Sequence, residues 1–208
     1  MRIDPAGLPF IAGALALSAV SGAVVSRWLA VPLLAAAAFF VFFFRDPERS
    51  VAGTDEVALS PADGRVIVAG TAVAGAAPAG EWPQISVFLS PMDVHVNRVP
   101  VSGRVTRVSF TRGRFLPAYR HDAATVNERS EIWIDHHGQT VVARQIVGIL
   151  ARRVVCRLQP GADVRAGDRY GIMKFGSRMD VFLPLTATVR VAVGDRVRGG
   201  ETVIAVLH

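Results

Sequence analysis

A serine that follows a glycine, a histidine between polar neighbours and an aspartate in a tight turn are the residues here whose types could remake a peptide bond. Gly176-Ser177 lies in Lys174-Phe175-Gly176-Ser177-Arg178-Met179-Asp180, near the end of an apolar, β-like region. A serine hydroxyl so placed can attack the preceding carbonyl in an N→O acyl shift. Glycine offers no side chain to block the approach and tolerates a strained backbone. If the resulting ester eliminates, the serine becomes dehydroalanine and then a pyruvoyl group, a carbonyl electron sink built from the chain itself. Gly-Ser is also a common turn dipeptide, so the chemistry needs a base and a context.

His95, in Ser90-Pro91-Met92-Asp93-Val94-His95-Val96-Asn97-Arg98, is the candidate base. Deprotonating a serine calls for a group that titrates near neutrality, and histidine supplies one. Strand spacing places Asp93 and His95 on one face. Asp63, in Ser60-Pro61-Ala62-Asp63-Gly64, reads either as a hairpin bend or as a carboxylate that orients the histidine. The set Asp63, His95 and Ser177 equally has the composition of a serine hydrolase triad, although the glycine pattern of a nucleophile elbow is missing. Lys174 opens a third reading. Met173-Lys174-Phe175 is similar to the lysine hairpin of a biotinyl or lipoyl carrier, which would make the chain a non-catalytic carrier or membrane adaptor. His136 and His137 read as solvated residues of the turn Asp135-His136-His137-Gly138, and His121 lies in a polar loop. Further ligands at metal-binding spacing do not accompany them, so no metal is expected. The single cysteine, Cys156, precludes an internal disulfide and reads as a packed strand residue.

These residues must be positioned by a mainly β region. Beyond the charged linker Arg45-Asp46-Pro47-Glu48-Arg49, short Val- and Ile-rich runs alternate with Gly, Pro and Asp turns. Strands are expected at Arg65–Ala69, Ile85–Leu89, Gly103–Phe110, Ser130–Asp135, Thr140–Ile146, Arg153–Leu158, Tyr170–Lys174, Thr188–Val191 and Thr202–Val206. A helix is not evident there, and Pro117–Asn127 reads as a loop near the site. Two echoes recur. Asp163-Val164-Arg165-Ala166-Gly167-Asp168 matches Arg196-Val197-Arg198-Gly199-Gly200-Glu201, and Pro61-Ala62-Asp63-Gly64-Arg65-Val66 matches Pro100-Val101-Ser102-Gly103-Arg104-Val105. Such repeats suggest a β-sandwich or barrel-like sandwich built from similar hairpins, as in duplicated biotinyl or lipoyl domains.

Residues 9–44 carry one charge, Arg27, and divide into the apolar blocks Pro9–Val25 and Trp28–Phe44. Each is about 17 residues, the short end of the spanning range. An N-terminal α-helical membrane hairpin, spanning or re-entrant, is expected over residues 1–49, followed by a catalytic β domain over 50–208. Arg2 on one side and Arg45 and Arg49 on the other place both ends in the cytoplasm. The net charge of +6 then reads as attraction to anionic headgroups. Nucleic-acid binding is not expected, since no recognition helix, zinc spacing or aromatic-basic RNA motif is present.

Seven segments in order resemble phosphatidylserine decarboxylase proenzymes of the short form. They are Phe43-Phe44-Arg45-Asp46-Pro47-Glu48-Arg49, Pro61-Ala62-Asp63-Gly64, Asp93-Val94-His95-Val96-Asn97-Arg98, Gly113-Arg114-Phe115 with Asn127-Glu128-Arg129, Gln145-Ile146-Val147-Gly148, Ala151-Arg152-Arg153, and Lys174-Phe175-Gly176-Ser177-Arg178. The resemblance implies self-cleavage between Gly176 and Ser177 into fragments 1–176 and 177–208 that stay together as a heterodimer. It implies a covalent pyruvoyl group derived from Ser177, without pyridoxal phosphate or metal, and phosphatidylserine as the substrate turned into phosphatidylethanolamine and carbon dioxide. Asp63 and His95 would assist maturation, and His95 would return a proton during decarboxylation. Longer members carry a second histidine where this chain has Arg98. Arg112, Arg114 and Arg178 are candidates to hold the substrate phosphate.

Overall fold

The computed structural model describes residues 2–51, 55–149, 154–174 and 176–208. The chain divides into two compact units, Met1–Glu48 and Arg49–His208.

In the first unit β1 (Arg2–Ile3) leads into a short 3-10 turn capped by Asp4, whose carboxylate accepts from Ala6 N. Helix α1 (Leu8–Val20) continues through a π turn at Ser21–Val25, so Pro5–Val25 forms one apolar segment long enough to cross a membrane. Ser26 is extended, and its hydroxyl accepts from Trp28 N to start α2 (Arg27–Phe43). The chain then returns through β2 (Arg45–Asp46), antiparallel to β1. The split at Ser26-Arg27 is where the apolar blocks divide in the sequence, but the first helical segment begins earlier, at Pro5. Both helices are apolar on all sides. Leu15, Leu17, Val20, Leu29 and Leu34 are exposed, a surface that suits lipid rather than water. Small residues bring the pair together: Ser18 Oγ donates to Ala30 O at 3.0 Å.

The second unit runs β3 (Val57–Leu59), β4 (Gly64–Thr71), β5 (Pro83–Leu89), β6 (Val96–Arg98), β7 (Gly103–Thr111), α3 (Ala123–Val126), β8 (Arg129–His136), β9 (Gln139–Ile146), β10 (Val154–Cys156), β11 (Asp163–Val164), β12 (Arg169–Met173), β13 (Ser177–Phe182), β14 (Thr188–Val189), β15 (Arg196–Val197) and β16 (Val203–Val206). An eight-stranded antiparallel sheet has the order β11-β7-β8-β9-β13-β5-β4-β15. Two three-stranded sheets, β10-β12-β6 and β14-β16-β3, complete the unit.

The two sequence echoes turn out to be halves of one structural repeat. Gly64 and Arg65 pair with Val197 and Arg196, as Gly103 and Arg104 pair with Val164 and Asp163. A bulge follows Val66 in β4 and Val105 in β7. Val66 N donates to Asp195 O, as Val105 N donates to Ala162 O. Glycine is required at both strand starts, because a β-carbon would lie 2.1 Å from Phe88 O at Gly64 and 2.2 Å from Asp135 O at Gly103. The large sheet reads the same from either edge, with β9 and β13 at the centre. This is the mainly β, barrel-like arrangement of duplicated hairpins expected from the sequence.

Alternation on the central strands defines two faces. Met179 and Val181 of β13 enter the main core with Ile85, Val87 and Leu89 of β5 and Val141 and Ala143 of β9. Each of these side chains larger than alanine stabilises the fold by about 1.5–3 kcal/mol. Several expectations change. The strand at Arg153–Leu158 shortens to Val154–Cys156, with Arg153 outside the described residues. The supposed loop holds the short helix α3. Strands β3, β6, β11, β13 and β15 were not anticipated, and β13 begins at Ser177 itself. Cys156 is half-buried against the core, as a packed strand residue should be.

Candidate active site

Gly176 and Ser177 stand where the chain enters β13. Gly176 has φ +72°, the left-handed region that glycine adopts without penalty. Open space surrounds its missing β-carbon, so conformation rather than crowding selects glycine here. Ser177 is buried, pairs with Leu89 of β5, and its Oγ has no hydrogen-bond partner. An unpartnered buried hydroxyl carries a desolvation cost of about 1–3 kcal/mol; Arg178 Nη1 and Asp180 Oδ2 on the same strand are likewise buried without a partner.

His95, fully buried just before β6, brackets this bond from the other side. Its Nε2 accepts from Gly176 N at 3.3 Å, and its Nδ1 lies 2.9 Å from the Asp93 carbonyl oxygen. A carbonyl can only accept, so Nδ1 donates and the lone pair sits on Nε2. The His95 carbonyl also receives Met173 N at 3.3 Å, so one residue ties down both ends of the connection between β12 and β13. The polypeptide opposite is bare: a β-carbon at Gly148 would lie 2.1 Å from the Gly176 carbonyl oxygen and 3.5 Å from Ala118 Cβ. The carbonyl of the Gly176-Ser177 bond therefore rests against Gly148, which in the sequence is only the end of the run Gln145-Ile146-Val147-Gly148.

Asp93 and His95 are not two strand residues on one face. Asp93 lies in a bend, and its Oδ2 accepts from Ser90 N (2.8 Å) and Ser90 Oγ (2.7 Å). Its backbone carbonyl, not its carboxylate, orients the ring. Asp63 is committed elsewhere too. Oδ1 accepts from Gly199 N at 2.8 Å and Oδ2 from Arg49 Nη2 at 2.6 Å, with Arg49 also on Glu201 at 3.1 Å. In the other half of the repeat Ser102 Oγ accepts from Ala166 N at 3.1 Å, the counterpart of the Asp63–Gly199 bond. That bond is thus part of the scaffold. Asp63 and Asp93 meet instead across a cavity of about 250 Å³, lined with Gly64, Arg196, Val197 and Arg198.

Other candidates separate. Arg178 is fully buried, with Nε on Asp180 at 2.6 Å and Nη2 on Ser86 Oγ at 2.9 Å, and does not present its guanidinium to a phosphate. Arg112 and Arg114 are exposed. Arg98 is buried in β6, where its Nη1 donates to Gly167 O at 2.9 Å. His136 is buried rather than solvated, its ring nitrogen donating to Ser102 O at 2.7 Å, while His137 is exposed at the turn. Lys174 is half-buried just before the site. Beyond Arg178, the same sheet face buries Arg144 against Glu131 at 2.8 Å. Burial pulls that guanidinium down from its usual value, against the opposing pull of Glu131 and Asp180. Among the described residues no cluster of metal-ligating side chains occurs.

A family model described as phosphatidylserine decarboxylase matches residues 36–205. Similar curated proteins carry the name phosphatidylserine decarboxylase proenzyme. One from Mycobacteroides abscessus is 43% identical over 99% of this chain and 87% of its own length. One from Desulfotalea psychrophila is 40% identical over 95% and 93%. A third, from Solibacter usitatus, is 38% identical over 99% and 97%. With a whole-chain match to these proteins and a family model covering most of its length, the chain belongs to the phosphatidylserine decarboxylase family.

Proposed function

We propose that the chain is a proenzyme that cuts itself between Gly176 and Ser177 and then converts phosphatidylserine to phosphatidylethanolamine and carbon dioxide. The observation that carries this reading is the buried, unpartnered Ser177 hydroxyl directly after a left-handed glycine whose amide meets a buried histidine. In the first step Ser177 Oγ bonds to the Gly176 carbonyl carbon, the C–N bond breaks, and the hydroxyl proton ends on the freed nitrogen. In the second, loss of the Ser177 α-proton expels the Gly176 carboxylate and leaves dehydroalanine. Water then replaces the nitrogen as ammonia, and a ketone remains. His95 Nε2, with its lone pair toward Gly176 N, is the group that moves these protons. Asp93 O holds the ring in that tautomer, and Asp63 with Arg49 and Gly199 braces the turn beside it.

The position suits a group made from Ser177. Its side-chain oxygen gives up no protein partner, and the strand behind it is held by both neighbours, β5 and β9. Once formed, the pyruvoyl carbonyl supplies an electron sink for an amine that loses carbon dioxide. His95 would then return a proton to the substrate. The apolar hairpin of the first unit would keep the enzyme at an anionic cell membrane, with the catalytic unit on the cytoplasmic side, as Arg2, Arg45 and Arg49 favour. The hydrolase alternative loses support, because His95 Nδ1 is held by the Asp93 carbonyl oxygen while Asp63 is bound by Arg49 and Gly199.

Intact-mass analysis tests the reading. Two fragments are expected, one ending at Gly176 and the other starting with a blocked, borohydride-reducible residue. Ser177→Ala should remain one uncut, inactive chain; full activity in that uncut variant would overturn the assignment.

A further inference from the structure

The sheet end that carries Gly176-Ser177 has a rim with its own character. Arg178, Ile146, Arg129 and Thr111 form one transverse row across β13, β9, β8 and β7. The chain leaving β7 therefore starts about 14 Å from the cleavage strand at ordinary strand spacing. It then folds back toward that strand. Asn127 Oδ1 accepts from Leu116 N at 3.0 Å, and Asn127 Nδ2 donates to Leu116 O at 2.8 Å and Val147 O at 2.9 Å. This ties the segment to the residue before Gly148, and Ala118 packs at the position where Gly148 meets the Gly176 carbonyl. Tyr119 continues along the rim, edge-on to Phe88 at 5.9 Å.

What this segment shows to solvent is unusual for a soluble face. Phe110 is 55% exposed, Phe115 38% and Tyr119 62%, with Ile149 beside the site at 56%. The run from Arg107 to His121 contains Arg107, Arg112, Arg114 and Arg120 and no acidic residue. Arg112 and Arg114 are exposed and form no ion pair among the described residues. Arg120 is held by Asp122 at 2.8 Å, but aromatic rings interleaved with the unpaired Arg112 and Arg114 match an anionic bilayer interface, where rings settle at headgroup depth and guanidinium groups meet phosphates.

We infer that the rim 110–120 is the face by which the catalytic unit rests on an anionic lipid bilayer, with Phe115 and Tyr119 entering the headgroup layer beside the cleaved bond. The inference rests on the lipid-decarboxylase reading and adds to it a route. A headgroup reaches the site past Ala118 while its acyl chains stay in the bilayer.

The test uses the full, self-cleaved chain reconstituted into phosphatidylcholine vesicles with and without phosphatidylglycerol. An environment-sensitive fluorophore is placed at Tyr119→Cys in a Cys156→Ser background. A blue-shifted emission quenched by doxyl-labelled lipid, stronger with phosphatidylglycerol, is the expected result. Emission that stays water-like in protein that decarboxylates vesicle phosphatidylserine overturns the inference. As a second measurement, Phe115→Ser/Tyr119→Ser should raise the apparent KM on vesicles about tenfold, as expected when surface anchoring is lost. Its self-cleavage and its turnover of monomeric short-chain phosphatidylserine should stay within about twofold of the parent. An unchanged vesicle KM counts against the rim. Failure of the parent chain to decarboxylate either substrate sinks the enzymatic reading instead, and the fluorophore still decides the rim.

Discussion

Both ring nitrogens of His95 are engaged, and the two partners select its tautomer. Because Asp93 O must accept, the proton stays on Nδ1 and Nε2 remains a base next to the bond to be cut. Losing a positioned base slows proton transfer by about 10²–10⁴-fold, so His95→Ala should accumulate uncut chain on that scale, read from band ratios over time. Processing of His95→Ala at the parent rate would remove the histidine from the reaction. Gly148 supplies a test of geometry without chemistry. Gly148→Ala puts a methyl group 2.1 Å from the Gly176 carbonyl oxygen, a backbone atom that must move. Cleavage should slow at least about tenfold, since small displacements of reacting groups weigh heavily on rate. Circular dichroism should stay near the parent's. The sequence made Ser177, Gly176 and His95 legible through residue type alone. It could not reveal Gly148, because a missing side chain announces nothing about which distant carbonyl it admits.

At the scale of elements, the same repeat that builds the sheet gives Asp63 a structural counterpart in Ser102. Asp63-Gly64 and Ser102-Gly103 occupy matching strand starts, and both side chains accept from a matching amide, Gly199 N or Ala166 N. Asp63→Ser should therefore keep that bond and fold well, whereas Asp63→Ala should lose about 1–3 kcal/mol in denaturant unfolding by stranding the amide. If serine is no better than alanine, the scaffold role is wrong. The echoes were visible in the sequence, but their pairing was not, since register depends on partners far along the chain. Strand β13 is hidden in the sequence for a related reason. Its even positions, Arg178 and Asp180, are charged yet fully buried as a pair, so the run Ser177–Phe182 lacks the apolar signature of a central strand. The neighbouring strands β10 and β12 hold Cys156 and Tyr170, whose acidic groups burial pushes up, Tyr170 well above its usual range. A raised folded-state pKa means that the native protein holds its proton longer than the unfolded chain does. Stability from this source is whole below the unfolded thiol value near 9.0 and drains away as pH rises past it. Thermal midpoints should thus fall progressively above pH about 9, and a Cys156→Ala/Tyr170→Phe variant should show a shallower decline.

For the molecule as a whole, the decisive feature is where the cut lies relative to the sheets. Cleavage at Gly176-Ser177 would leave β13 to β16 in a small fragment covalently free of the rest. Yet β13 is central in the large sheet, hydrogen-bonded along β9 on one side and β5 on the other. Strand β15 pairs with β4, and β16 pairs with β3, so the fragment is woven into two sheets. Its side chains Met179, Val181, Leu183 and Ile204 are wholly buried in the common core. Each contributes about 1.5–3 kcal/mol that would be forfeited on departure, and so do the ladder bonds of a strand with two neighbours. The fragments should therefore co-elute in native gel filtration at any dilution, and part only when denaturant passes the midpoint of global unfolding. The unfolding transition should stay single and cooperative after the cut, because no part of the small fragment can leave without opening the core. Release of residues 177–208 under native conditions, or a separate early transition for them, would show that the sheet pairing described here does not hold the mature molecule together.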